Sequence, residues 1–250
     1  MKSHRILVFD ISGEYGHYRK FNTTSSPLTY SIPTRSALSG VLGAILGIER
    51  EIAPGIFPEG VVPVNELFSP TSCNLAIQLL NPVKKVNIGF NLLDTGKSAS
   101  SFFNIKNRTQ IEFELLKNPK FRIFFSHSDE SIFSEVSKRI KTVSHHFTPY
   151  LGLSQFTAVI DWIDETTATP ASSPDDYFEI HSVINLSKLS KQQPIKFEEL
   201  FYSTDTLPMS MRSDRVITEY AEILIEKTGR PILAKTPSFW KTNFGNIIFL

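Results

Sequence analysis

The chain has 250 residues, 41% of them hydrophobic and 20% charged, enough apolar content to bury a sizeable core in one large or two small domains. Its 26 Lys and Arg against 25 Asp and Glu leave a formal charge of +1, so net charge does not draw it to nucleic acid or to a membrane, and any such attraction is local. One cysteine, Cys73, excludes an internal disulfide and a thiolate zinc site, and fits a reducing compartment. The start of the chain offers only Ile6 to Phe9 as an apolar run, too short for a signal peptide, and the longest nearly apolar stretch falls short of the roughly 20 residues of a membrane span. A cytoplasmic location is expected.

Residues 6–11 are a β-branched and aromatic run closed by Ser12 and Gly13, and they read as a first strand. Residues 13–32 show no sustained period and form a long loop, a length at which loops are usually functional. Residues 34–47 place Leu38, Val41, Leu42, Ile45 and Leu46 at helical spacing after Pro33, with Gly40, Gly43 and Gly47 admitting a sheet or a ligand to the backbone. Beyond a Pro-rich connection at 54–70, residues 74–80, 83–93, 109–116 and 121–126 read as strands, and the polar stretch 94–108 has the composition of a hairpin tip. Residues 129–141 put Ile132, Phe133, Val136 and Ile140 on one face, acids first and bases last, as the helix dipole favours. A strand at 156–163 completes the order β, α, β, β, α, β over residues 5–165, the ferredoxin-like or RNA-recognition-motif order.

Residues 161–179 hold six acids and no base. A linker is expected at 166–177, centred on 166–174, followed by a small β-rich domain over 178–250 with strands at 178–186, 195–202, 216–225 and 247–250 and a helical pattern only around 219–226. The fold class expected is α+β, a ferredoxin-like first domain with a protruding hairpin at about 84–108 and a β-rich second domain.

Little of the chain carries catalytic chemistry. Gly96-Lys97-Ser98 resembles the end of a phosphate-binding P-loop, but Asn91 stands where that motif needs its earlier Gly and residues 98–104 do not read as helix, which leaves a loop tip. His4, His17, His127, His145, His146 and His181 fall in no metal-ligand spacing, so neither a metal nor another cofactor is expected. His145-His146 offers a general base or a phosphate contact, though neighbouring side chains in an extended chain face opposite ways and one is then simply solvated.

The distribution of charge says more than its total. Between residues 84 and 122 lie eight bases and three acids, net +5, against −6 over residues 161–179. A basic hairpin carrying Phe102, Phe103, Asn104 and Asn107 can hold phosphates while its rings take unstacked bases; the alternative is a solvated strand face with core Phe. His17-Tyr18-Arg19-Lys20-Phe21 interleaves donors and rings in the same way. Tyr30 and Arg35 flank the start of the first helix, where backbone N–H groups favour an anion. The candidate RNA contacts are His17, Tyr18, Arg19, Lys20, Tyr30, Arg35, Ser36, Lys97, Lys106, Asn107, Arg108 and Arg122.

Three blocks carry a resemblance: Phe9-Asp10-Ile11-Ser12-Gly13 with Tyr18-Arg19-Lys20-Phe21; Ser31-Ile32-Pro33-Thr34-Arg35-Ser36-Ala37-Leu38-Ser39-Gly40 with Val41-Leu42-Gly43-Ala44-Ile45-Leu46-Gly47; and Lys117-Asn118-Pro119-Lys120-Phe121-Arg122-Ile123 with Pro149-Tyr150-Leu151-Gly152-Leu153-Ser154-Gln155-Phe156. Together they resemble family five of the CRISPR-associated proteins, in the RAMP superfamily, and residues 109–116 look most like its type I-B branch. The resemblance implies a single-copy, non-catalytic subunit of Cascade, the RNA-guided surveillance complex of prokaryotic antiviral defence. Such a subunit caps the crRNA 5′ handle, holds the backbone subunit next to its thumb hairpin, lies beside the large subunit and meets target DNA only indirectly. It also implies that Tyr30 and Arg35 mark the RNA-facing start of the first helix. The basic-Gly-aromatic signature of an RNA-recognition sheet is absent, which favours loops and thumb as the RNA surface.

A second reading is a metal-independent endoribonuclease, because the type I-C branch cuts precursor crRNA with Tyr, Lys and His. Tyr30, Lys120 and His145 or His146 are the residues available to such a set, but the adjacent Lys-His pair of that branch is missing. A third is an unrelated ferredoxin-like interaction module with no RNA ligand.

Overall fold

The computed structural model describes residues 3–20, 26–53, 55–93 and 108–250. Strand β1 (His4–Ser12) shows how the chain sorts its faces: Leu7, Phe9 and Ile11 pack into one core cluster while Ile6 and Val8 pack into another. There follow β2 (Tyr15–Gly16), α1 (Arg35–Leu46), α2 (Val64–Leu67), β3 (Cys73–Leu79), β4 (Lys85–Leu93), β5 (Arg108–Lys117), β6 (Lys120–His127) and α3 (Glu130–Lys141). The chain ends with β7 (Val159–Ile180), β8 (Ile184–Asn185), a 3₁₀ turn (Leu186–Lys188), β9 (Tyr202–Met211), β10 (Ile217–Glu226), β11 (Ile232–Thr242) and β12 (Gly245–Ile247). The result is a mixed α+β, strand-rich fold with few helices.

The main sheet has the order β11-β12-β7-β1-β6-β3, and β1 runs antiparallel to both β6 and β7. Helices α1 and α3 pack on the face formed by Leu7, Phe9, Ile123 and Phe125, with Leu42, Ile45, Phe133 and Ile140 fully buried beneath them. Each such side chain stabilises the fold by about 1.5–3 kcal/mol. The second face carries Ile6, Val8 and Phe124, covered by Trp240, Phe244 and Phe249 from the end of the chain.

Both long helices begin where their caps dictate. Thr34 Oγ1 accepts from the Ala37 N–H at 3.2 Å, and Gly47 ends α1 with φ +80°, a value glycine takes without strain. At α3 the Asp129 carboxylate accepts from the Ser131 and Ile132 N–H groups, and Lys138, Arg139 and Lys141 occupy the last turn.

The stretch expected to be a linker, 166–177, is instead the middle of β7, which pairs with β1 from Val159 to Ala168 and with β11 from Thr169 to Ile180. Its acids lie on the outer side of a strand: Asp161, Asp175, Asp176 and Glu179 are exposed while Ala168 and Ile180 are fully buried. Pro174 is tolerated because the β7–β11 ladder is irregular there, with register shifts between Ala234 and Phe239, whereas Pro170 stands opposite Trp240 in a regular stretch.

The C-terminal third is β-rich, as expected, but its strands differ. Residues 195–201 make only an isolated bridge, Ile195 to Ala234, whereas β9 and β11 lie outside the expected strands and the helical pattern at 219–226 is strand β10. The sheet β8-β10-β9 packs on the helix side through Leu207 and Met209. The hairpin β4–β5 pairs from Lys85 with Leu116 out to Leu93 with Arg108, and β2 extends it. Among the described residues, no helix is long and apolar enough to cross a membrane.

Candidate nucleic-acid interface

Helix α1 buries Leu38, Leu42 and Ile45 and turns Ser36, Ala37, Gly40 and Ala44 towards a groove of about 1090 Å³. A Cβ built on Gly40 would meet nothing within 4 Å, so this stretch of helix backbone is open to an approaching ligand. The other walls come from distant parts of the chain: Phe57, Phe113 on the hairpin, Phe147 and Tyr150 after α3, and Arg215 in the β9–β10 turn. Phe147 and Tyr150 are 44% and 39% exposed, and both rings lie on the groove wall. Arg215 pairs with Glu51, which fixes the turn against the 48–58 segment. Arg19 and Arg50 also line the groove.

One close approach shapes this wall. Gly152, at φ +88°, brings residues 147–153 against the strand-like residues before the first helix, where the His17 N–H donates to the Leu151 carbonyl at 2.9 Å. His17 is 2% exposed, donates from Nδ1 to the Glu114 carbonyl at 2.8 Å, and packs edge-on to Phe113 at 5.3 Å between centroids. Burial holds its pKa below the ordinary value, against the raising effect of the Glu114 carbonyl, so the ring is neutral.

The structure sorts the residues expected from sequence into four groups. Arg19, exposed, and Ser36, half-buried, border the groove, and Arg108 is exposed at the end of β5. Lys97, Lys106 and Asn107, with Phe102 and Phe103, lie outside the described residues.

A third group is corrected. Tyr18 and Tyr30 are core residues at 5% and 6% exposure, and His17 is equally buried, so His17 and Tyr18 reach the groove only as packed side chains of its wall. Lys20 pairs with the buried Asp205 at 2.5 Å and lies 5.4 Å from the centre of the Tyr30 ring, tying the early loop to β9. Arg35 points into the protein: its Nη2 donates to the carbonyls of Phe68, Ser69 and Cys73. The start of α1 is capped by Thr34 rather than held open for an anion.

Arg122 forms the fourth group, on the second face of the sheet. It makes a two-pronged ion pair with Asp10, at 2.8 and 3.1 Å, under the Phe244 ring at 4.9 Å. Lys120 reaches the same carboxylate at 3.9 Å. The residues available to a nuclease set are therefore divided, Tyr30 in the helix-side core and Lys120 on the opposite face.

Sequence reasoning missed Arg50, Phe57, Phe113, Tyr150 and Arg215. Their signal was weak but present: Phe57 and Tyr150 are rings in Pro- and Gly-containing segments with no period to bury them. Among the described residues, no three His, Cys, Asp or Glu side chains are grouped to hold a metal ion.

A strand-rich α+β scaffold with a curled sheet is the class of protein this geometry defines, and solved structures share that fold. A chain of a "CRISPR RNA-guided surveillance complex" covers 92% of this chain and 91% of its own length, with a TM-score of 0.54 and 11% identity. A chain of "Type III-B Cmr-beta bound to cognate target RNA and AMPPnP" covers 90% and 86%, with a TM-score of 0.51 and 11% identity. At these identities the likeness is one of fold. No curated protein matches the chain. The model of the family described as "CRISPR-associated protein (Cas_Cas5)" matches residues 6–225, and the chain belongs to that family. Its role is accordingly a CRISPR-associated one.

Proposed function

We propose that this chain is the non-catalytic crRNA-binding subunit of a type I CRISPR surveillance complex, of the I-B branch, acting in the cytoplasm of a prokaryote. On this reading β1, α1, β3, β6, α3 and β7 form a ferredoxin-like unit, and the groove along α1 holds the single-stranded 5′ handle. The observation that carries it is the groove itself: an open helix backbone at Gly40, partly exposed rings at Phe147 and Tyr150, and arginines at its border. Rings take unstacked bases, arginines take phosphates, and a side-chain-free backbone lets the ribose approach. Arg108, exposed at the end of β5, extends the basic border of the groove, and the hairpin meets the backbone subunit. The large subunit and, through it, target DNA are further partners. The coverage of the second sheet face by Trp240, Phe244 and Phe249 supports loops rather than sheet as the RNA surface. The separation of Tyr30 from Lys120 supports binding without cleavage.

The test is titration of labelled repeat RNA with the full chain across a salt series, followed by incubation in EDTA. Binding that weakens steeply with salt and leaves the RNA intact is expected. No binding overturns the RNA assignment, and a specific cut in EDTA replaces it with the endoribonuclease reading.

A further inference from the structure

Arg215 reaches the groove with its charge already matched. Its Nη2 donates to Glu51 Oε1, a partner 164 residues away in the chain, and both residues line the groove. The two members of the pair are held differently. The Glu51 side chain is 15% exposed and its second oxygen, Oε2, accepts from the Gly55 N–H at 3.2 Å, whereas the Arg215 side chain is 62% exposed. Glu51 is therefore the anchored member and Arg215 the one able to leave.

The turn that carries Arg215 does not need this pair for its own shape. The Arg212 N–H donates to the Val216 carbonyl at 2.9 Å and the Arg215 N–H to the Arg212 carbonyl at 3.0 Å, while the Asp214 carboxylate accepts from the Arg212 guanidinium and the Val216 N–H. This closed turn sets Arg215 at φ +65°, a backbone state that arginine rarely takes, so the surroundings impose the position. An ion pair this exposed contributes little to stability and is exchanged at little cost. A phosphate takes the same guanidinium edge as a carboxylate, so Glu51 occupies the place that a nucleic-acid backbone would fill.

We propose that Arg215 is a phosphate-binding residue of the groove which Glu51 masks in the free chain: a backbone phosphate of single-stranded RNA displaces the carboxylate and takes its place on the guanidinium. This rests on the RNA reading above and assigns it an autoinhibitory contact. Glu51 stays on its wall, held by the Gly55 N–H, and Arg215 changes partner. Small anions that make no other contact in the groove are turned away, because they meet an arginine already occupied.

Titration of labelled repeat RNA across a salt series tests this with the full chain and with Glu51→Gln, Arg215→Gln, their double variant and Glu49→Gln. Glutamine keeps an oxygen for the Gly55 N–H and removes only the charge. Glu51→Gln is expected to tighten binding by up to about fivefold, the most an exposed ion pair holds back. It should also steepen the slope of log affinity against log salt by about one, because Arg215 then neutralises a phosphate without releasing a carboxylate. In the Arg215→Gln background the same change should do nothing, and Glu49→Gln, which removes an exposed acid from the same groove, should leave the slope as it was. A gain from Glu51→Gln that persists without Arg215 overturns the proposal, since it reports charge alone. Unchanged affinity and slope in Glu51→Gln, while the unaltered chain binds, overturn it and leave the RNA reading standing; an unaltered chain that binds no RNA removes both.

Discussion

A Cβ on Gly152 would lie 1.8 Å from the carbonyl oxygen of His17, and Gly152 adopts φ +88°, which side chains rarely accept. The obstacle is backbone, so no rotamer relieves it. Gly152→Ala is expected to push the 147–153 segment off the early loop, break the His17–Leu151 hydrogen bond and destabilise the chain by about 2–4 kcal/mol. Denaturant midpoints measure this; an unchanged midpoint would mean that the segment shifts without cost.

Gly40 and Gly43 lie one turn apart on α1 and predict opposite outcomes. A Cβ at Gly43 would come within 2.5 Å of Val64 Cγ1, whereas one at Gly40 meets nothing. Gly40→Ala should stabilise the helix by up to about 1 kcal/mol, and Gly43→Ala should destabilise the chain. Gly40→Phe should remain folded while filling the groove, and repeat-RNA affinity should fall at least about tenfold with no loss of thermal stability, a combination that packing alone does not produce.

Stability should fall on acidification below the ordinary histidine range. Burial lowers the pKa of both His17 and His145 from 6.5. The unfolded chain then takes up protons first as pH falls, so the contribution of these groups is fully present above pH 6.5 and declines below it until their folded values are reached. Denaturant titrations across this window should show the decline, and His17→Gln should make it shallower; an identical pH profile for the variant would remove His17 from the account.

Asp10 and Arg122 separate stability from binding. The Asp10 side chain is 4% exposed and Arg122 is 20% exposed, so Asp10→Ala leaves a largely buried cation without its partner. The expected cost is about 2–4 kcal/mol, somewhat below the figure for a fully buried pair. Arg122→Ala should leave the salt dependence of RNA binding unchanged, while Arg50→Ala at the groove should lower the slope of log affinity against log salt by about one. The reverse pattern would move the RNA surface to the covered sheet face.

The sequence revealed elements wherever local period and caps agreed. Residues 34–47 predict α1 to within a residue because Pro33, Thr34 and Gly47 mark its ends, and 129–141 predict α3 because Asp129 caps it. It misled wherever partners arrive from far along the chain. Tyr30 and Arg35 look like ligand residues beside a helix start, yet Tyr30 packs inward and Arg35 turns to carbonyls 33 and more residues away. The groove is assembled from α1, the hairpin, the segment after α3 and the β9–β10 turn, so no local window of sequence contains it. The acids of 161–179 hid a strand because exposed charge on one side says nothing of Ala168 and Ile180 on the other.

Because β7 continues unbroken for 22 residues and exchanges β1 for β11 halfway along, the two ends of the molecule share a single beam. The pairing with β1 ends at Ala168 and that with β11 begins at Thr169, with no loop between them. A chain cut near residue 165 is therefore expected to give two sticky fragments instead of two independent modules, since the cut removes from each half the strand that its neighbour pairs with.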